Sequence, residues 1–370
     1  MKKFLYITDQ DEYTDHSFIG PLFEKYLQEH FDVNIIYFSQ FKAEFEKKDE
    51  TRFVLPIACK AKVIKELKNS GIDLSSYSYV FVRNSGEILK DVLANSKVYD
   101  YKVGYRLSFP KRRAKMQVDS ANNKGSFLKY LNNTLTTFSE TKLINQCDLF
   151  LPSSKQMQEE YFSDVKTRTY ICPPAIDPEI LHENIQHESS EKRFFYAGTL
   201  DKLREFETVL EAFDSLHSSD WSLTISTKDP EYAKEVIDSF ENLKDRVKIQ
   251  NAKTKDELLD LIAKADIGVS ILPDIPLFNT STPVKIMDYY SSAVPCIMTD
   301  NANNSEIFQK DRDAWFCEFN KNAIKEKLEY ILDLPKEEVA QVGINGQNRL
   351  LDVRNYKRIA ADLAHQLNIL

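Results

Sequence analysis

Glycine is scarce in this chain. Only nine of 370 residues are glycine, and neither G-x-G-x-x-G nor G-x-x-x-x-G-K-[ST] occurs. Those patterns build the phosphate cradles of nicotinamide-dinucleotide and P-loop enzymes, so both signatures are excluded. Cysteine offers no scaffold either. Cys59, Cys147, Cys172, Cys296 and Cys317 are scattered, odd in number and without a C-x-x-C pair. That usage argues against a disulfide framework and predicts reduced, mostly buried thiols. The six histidines form no metal spacing, and no metal site is expected. No run approaches the ~20 apolar residues of a membrane span. The start, "MKKFLYITDQDEY", is too briefly apolar for a signal peptide, so a cytoplasmic location is expected. An excess of positive charge is missing as well: 49 Lys and Arg against 57 Asp and Glu leave a net charge of -8. Phosphate backbones select basic surfaces, so nucleic acid is not expected as a partner.

What is present is ordinary globular material, 42% hydrophobic and 29% charged, in a length that calls for two domains. Short β-branched or aromatic runs alternate with amphipathic stretches. In the first half "KFLYIT", "VNIIYFS", "YSYVFVRN", "KVGYRLSF" and "DLFLPSS" read as strands. "GPLFEKYLQEHF", "SGEILKDVLANS", "YLNNTLTTFSETKLINQC" and "KQMQEEYF" read as helices, the last capped by Ser153 or Ser154. "ICPPAIDPEILHENIQHESSEK" carries three prolines and a polar tail and reads as an interdomain linker. Beyond it the alternation restarts, from "RFFYAGTL" to "PCIMTD", and the chain ends in helical segments. The predicted fold is α/β: residues 1–172 form one Rossmann-like domain and 173–352 a second, with 353–370 a candidate to rejoin the first. Two such halves are expected to face each other across a cleft, with ligands outside the carboxyl ends of the strands.

Three segments of the second half fall at such positions. In "YAGTLDKLREF", Gly198 ends a strand and Arg204 precedes a helix, a combination suited to an anion or equally to a plain turn with a surface arginine. In "FNTSTPVKIMDYYSSAVPCIMTD", Pro283 suits a first helical turn and Ser281 or Thr282 its cap. Lys285 and Asp288, three apart, share a helix face. They suit a phosphate and a ribose diol, or simply each other as a surface ion pair. The third segment is the bend "ICPPAID", read as a hinge.

Taken in order, G-T-L-D-x-x-R-E-F-x-T-V-L-E-A-F, E-L-x-x-L-I-A-K-A-D-I-G-V-S and S-T-P-V-K-I-M-D-Y-Y-S-S-A-V-P resemble the donor domain of family-4 glycosyltransferases (glycosyl transferases group 1) of the GT-B fold. "ICPPAID" resembles that family's hinge, and "ETKLINQCDLFLPSSKQMQEEY" its E-x-x-x-x-x-x-A-D-x-V-I-x-x-S segment. The resemblance implies a retaining, metal-independent transfer from a UDP- or GDP-linked sugar, with no separate cofactor, to a glycan or lipid-linked acceptor in surface polysaccharide synthesis. It places Arg204 at the family's diphosphate-binding lysine and Asp288 at its ribose-binding glutamate. Thr199 stands in place of a frequent arginine. Thr280 stands where the family's sugar-contacting glutamate is expected, leaving Lys285 as the substitute contact. Gly20 matches the glycine turn near the donor phosphates. Ser108 lies near the position of an acceptor-side histidine. The missing glutamate and histidine leave open a second class, a glycosyltransferase-like protein that binds nucleotide or glycan without turnover.

Two other features carry their own readings. Asp9 and Asp11 resemble the D-x-D-x-T start of haloacid-dehalogenase phosphatases, but Tyr13 occupies the threonine position; a solvated turn is the alternative. His16 shares that loop, and Asp311 and Asp313 read as an exposed turn. The segment spanning residues 102–130 is the one basic region, with Lys102, Arg106, Lys111, Arg112, Arg113, Lys115, Lys124 and Lys129 against Asp119. Interleaved with Phe109, Phe127, Leu128 and Tyr130, it suits the anionic inner face of a plasma membrane or a phosphorylated acceptor, or else a solvated loop.

Overall fold

The computed structural model describes residues 1–10, 20–110, 116, 138–185 and 188–370. The chain divides into two units, residues 1–173 with 356–370, and residues 174–355.

The first unit is built on seven strands: β1 (Lys3–Ile7), β2 (Asp32–Ser39), β3 (Glu46–Lys47), β4 (Arg52–Pro56), β5 (Tyr77–Arg83), β6 (Lys102–Leu107) and β7 (Leu149–Pro152). They lie in the order β3-β4-β2-β1-β5-β6-β7, all pairs parallel except β3 with β4. Parallel strands need crossovers. Here α1 (Val63–Asn69) and α2 (Gly86–Tyr99) supply two of them, from β4 to β5 and from β5 to β6, and α3 (Lys155–Tyr161) follows β7. Ser85 caps α2 and Ser154 caps α3, the latter accepting a hydrogen bond from the Met157 N–H at 2.9 Å. "GPLFEKYLQEHF" is helical but not α-helical. It opens as a π-helix, Gly20–Lys25, and tightens to a 3-10 turn, Tyr26–Glu29. One sheet face carries Leu5, Ile7, Ile36, Val80, Val82 and Val103 against α1 and α2. The other is aromatic: Phe4, Tyr6, Phe23, Phe31, Tyr79 and Phe81 pack ring against ring, stacked, tilted or edge-on. Gly104 makes this possible, since a Cβ there would stand 2.2 Å from the Phe81 ring. The terminal helix α12 (Tyr356–Asn368, numbered after the helices below) closes this face, and the Tyr79 hydroxyl donates to the Leu367 carbonyl at 2.8 Å.

The second unit has six strands, β8 (Lys192–Ala197), β9 (Trp221–Ser226), β10 (Val247–Ile249), β11 (Ile267–Ser270), β12 (Cys296–Thr299) and β13 (Trp315–Cys317), all parallel in the order β10-β9-β8-β11-β12-β13. Its helices are α4 (Phe206–Asp214), α5 (Pro230–Asp238), α6 (Lys255–Ala263), α7 (Pro276–Asn279), α8 (Val284–Ser291), α9 (Ala302–Ile307), α10 (Lys321–Asp333) and α11 (Lys336–Val353). Asp229, Thr254, Asn301 and Asn320 cap α5, α6, α9 and α10 with side-chain oxygens, which fixes where each helix begins. The strands are apolar on both faces because both are covered. Phe194 and Tyr196 enter one core with Leu223, Val269 and Trp315; Phe195 and Ala197 enter the other with Cys296, Met298 and Tyr289.

The polar tail after "ICPPAID" is not a free linker. Residues 174–185 belong to the second unit, where the His182 N–H donates to the Ser291 carbonyl and the Ile185 N–H to that of Ala263, both at 2.8 Å. Backbone pairing overrides a composition that reads as loop. Cys172, Cys296 and Cys317 are buried, and Cys59 and Cys147 partly so; all five are free thiols.

Candidate active site

The sheet of the second unit grows outward from β8 in both directions: β9 and β10 lie to one side, β11 to β13 to the other. The carboxyl ends of β8 and β11 therefore flank a switch point, where open α/β sheets bind their ligands. The ladder between these strands is short, pairing Ile267 with Phe194 and Gly268 with Phe195. Past it, the Tyr289 hydroxyl accepts from the Ala197 N–H (3.0 Å) and donates to the Val269 carbonyl (3.2 Å). A side chain from α8 thus bridges two strand tips that no longer pair. Sequence reasoning missed Tyr289. The one available signal was Gly268, a glycine inside a strand, which marks a close approach.

Gly198 follows β8 with φ +145°, in the region that favours glycine. A Cβ built there would lie 3.5 Å from the Tyr196 hydroxyl and 3.7 Å from Lys285 Nζ. Lys285 is half-buried, its Nζ 3.8 Å from the centre of the Tyr196 ring, and among the described residues it makes no ion pair. Burial pulls its pKa down to about 7; Cys296 opposes this, and the neighbouring positive charge of Arg204 adds to it. The Tyr196 hydroxyl donates to the Thr199 carbonyl at 3.0 Å, which ties the exposed turn to the ring below.

Arg204 sits in the turn before α4, after which Glu205 adopts a left-handed conformation. Its backbone N–H and its guanidinium both bond to Asp201, and the guanidinium lies 5.8 Å from the Phe278 ring. Arg204 is thereby held on two sides.

In the "TSTPVK" segment the cap differs from expectation. Helix α8 begins at Val284, and Pro283 itself is the cap residue, with no side-chain cap. Thr282 is buried and accepts a hydrogen bond from Asn303 Nδ2 at 2.7 Å. Thr280 is buried at the end of α7, its N–H donating to the Pro276 carbonyl, and Ser281 is half-buried beside it. Lys285 and Asp288 do not pair with each other. Lys285 turns to the end of β8, whereas Asp288 Oδ1 pairs with Lys255 Nζ at the start of α6. The helix periodicity put both on one face, but each found a different neighbour across it.

In the first unit Gly20 opens the π-helix and is half-buried. Ser108 is clasped to Asn84: its N–H donates to Asn84 Oδ1 and its hydroxyl accepts from Asn84 Nδ2, both at 2.8 Å. Asp9 is paired with Arg83 at 2.6 Å. Asp11, Tyr13 and His16 lie outside the described residues. So does most of the basic segment: Lys111, Arg112, Arg113, Lys115, Asp119, Lys124, Phe127, Leu128, Lys129 and Tyr130. Arg106 is no part of a basic surface. It is fully buried and donates to the Cys172 carbonyl at 3.1 Å. Asp311 is exposed as expected, but Asp313 is buried and accepts from the Gln309 N–H at 3.0 Å.

Residues 177–349, nearly all of the second unit, match the family model of glycosyl transferases group 1. No curated protein sequence matches the chain. Solved structures do, over its whole length. Sucrose-phosphate synthase from Thermosynechococcus elongatus is 12% identical with a TM-score of 0.78, covering 100% of this chain and 98% of that one. HepE from Anabaena in complex with UDP and glucose is 12% identical with a TM-score of 0.71, covering 100% of both chains. An alpha,alpha-trehalose-phosphate synthase (UDP-forming) from Burkholderia xenovorans in complex with glucose-6-phosphate is 10% identical with a TM-score of 0.67, again covering 100% of both. At these identities the likeness is one of fold, two parallel-sheet α/β units of GT-B type. Within the matched segment, Gly198, Arg204, Lys285 and Tyr289 all gather at the ends of β8 and β11.

Among the described residues, no group of three or more His, Cys, Asp and Glu side chains is placed to hold a metal ion. No helix among them is long and apolar enough to cross a membrane.

Proposed function

We propose that the protein is a retaining glycosyltransferase that moves a hexose from a nucleoside diphosphate sugar, UDP- or GDP-linked, to a glycan or lipid-linked acceptor in surface polysaccharide synthesis. The observation that carries this reading is the Lys285 ammonium. It stands over Tyr196 beside a glycine turn at the switch point, next to Arg204 and, among the described residues, without a carboxylate partner. A structural lysine finds an acceptor; this one awaits an anion. On transfer the bond from the anomeric carbon to the diphosphate breaks and one to an acceptor oxygen forms. Arg204 and Lys285 neutralise the charge that collects on the departing diphosphate, and the first N–H groups of α8 add to them. Asp288 takes the ribose diol with Oδ2, which has no partner among the described residues. In the second unit Gly198, Thr199, Thr280, Ser281 and Thr282 serve the donor; in the first, the family resemblance assigns Gly20 to the donor phosphates and Ser108 to the acceptor side. No metal takes part. The basic residues between 111 and 130 give the enzyme a peripheral place on an anionic membrane; neutralising Arg112 and Arg113 should then abolish liposome binding.

Thermal-shift screening against UDP, GDP, ADP and CMP, followed by release of nucleoside diphosphate from the matching sugar donors, tests this reading. No stabilisation by any of the four refutes it. A second reading, binding without turnover, draws on the buried Thr280 at the glutamate position and the clasped Ser108. Its outcome is calorimetric heat with a nucleotide but no release.

A further inference from the structure

Asn303 is fully buried in α9, at the carboxyl end of β12. Its Nδ2 donates to the Thr282 hydroxyl at 2.7 Å, while its Oδ1 has no partner among the described residues. The observed amide leaves its carbonyl oxygen and one N–H without partners among the described residues; the reversed amide would leave both N–H groups without acceptors, and orphaned N–H groups are the rarer and costlier case. The observed orientation has a consequence at Thr282. A hydroxyl whose oxygen already accepts from Asn303 keeps its own proton for another acceptor, and no described residue supplies one. Thr282 lies two residues before α8, beside Pro283, which has no N–H to offer.

We propose that Asn303 is a positioning residue that turns the Thr282 hydroxyl into a donor for a phosphoryl oxygen of the donor diphosphate, replacing the N–H that Pro283 lacks. This rests on the reading of the site as a nucleoside diphosphate site. Asn303 never touches the ligand; it acts through the direction of one proton.

The test measures, for the full chain, the affinity of whichever of UDP and GDP binds more tightly, with the corresponding nucleoside as control. Thr282→Val removes the donor and should weaken diphosphate binding about tenfold, while Thr282→Ser should restore it. Asn303→Ala frees the hydroxyl to rotate and should cost about threefold, with no further loss in the Thr282→Val background. Asn303→Asp offers the Thr282 proton a carboxylate and places negative charge behind it, so the loss should exceed that of Thr282→Val. Nucleoside affinity should stay unchanged throughout, which a general disturbance of packing would not allow. If the Asn303 variants bind the diphosphate as the wild type does, or lose nucleoside and diphosphate equally, the role of Asn303 is overturned while the site stands. If the wild-type protein binds neither UDP nor GDP, the site reading falls and the role falls with it.

Discussion

Lys285 Nζ lies 3.8 Å from the centre of the Tyr196 ring, beside the turn that Gly198 makes at φ +145° after that strand. The ring face attracts a cation but accepts no proton and gives weak compensation for lost water. A second cation, Arg204, stands close by. An ammonium in this position is poised between its two protonation states near neutrality.

That poise has a sign. Binding a diphosphate favours protonated Lys285, so the free protein takes up a proton on binding. Affinity should be greatest near pH 7 and fall by up to about tenfold per unit as pH rises to about 9. Calorimetry in buffers of different ionisation heat should show proton uptake, and Lys285→Arg should flatten the profile because arginine does not titrate there. A flat wild-type profile refutes the prediction. For stability the same shift works the other way. The unfolded chain holds this proton up to about pH 10, so the group makes the native state more stable as pH rises from about 7.

Asp288 and Lys255 form an ion pair that the helix pattern did not announce. Asp288→Ala should weaken nucleoside diphosphate binding by about 1–3 kcal/mol through loss of the diol contact. Lys255→Met should weaken it less, since Lys255 only steers the carboxylate. The pair is partly exposed, so neither change should alter stability by more than about 1 kcal/mol in urea unfolding. An affinity untouched by Asp288→Ala removes Asp288 from the ribose.

Gly268 and Tyr289 are complementary in a way that leaves no slack. A Cβ on residue 268 would sit 2.3 Å from the Tyr289 ring. Gly268→Ala should destabilise the chain by about 1–3 kcal/mol or more through overpacking. Tyr289→Phe keeps the ring but strands the Ala197 N–H and the Val269 carbonyl, at a cost of about 1–3 kcal/mol. Chemical denaturation of both variants checks this; a Gly268→Ala protein as stable as the wild type contradicts it.

The Ser108–Asn84 clasp separates structure from catalysis in the first unit. Asn84 has φ +52° and makes two of its bonds to Ser108. Asn84→Ala loses both bonds and forces a left-handed alanine, so it should cost about 2 kcal/mol or more. Ser108→Ala loses one bond and should cost about 1 kcal/mol. If Ser108 serves the acceptor, Ser108→Ala should also lower kcat at unchanged donor affinity; unchanged kcat assigns Ser108 to the clasp alone.

The alternation of apolar runs with amphipathic helices was enough to determine the α/β class, because strands buried on both faces and helices buried on one leave different periods in the sequence. The same local logic located most strands, the Ser154 cap, and the segments around Gly198, Arg204 and Lys285 at strand ends. It had no access to what depends on distant neighbours. β13 is three residues long and β4 ends in proline, so neither announces itself until the sheet edge recruits it. The tail at residues 174–185 has the composition of a linker, yet its backbone groups found partners on α6 and α8. The partners of Lys285 and Asp288, the Tyr289 bridge between two strand tips, the depth of Arg106 and the turn of the Asn303 amide were decided only in three dimensions. Sequence spacing fixes which side chains share a face; which of them lose water, and what they meet when they do, is set by residues tens of positions away.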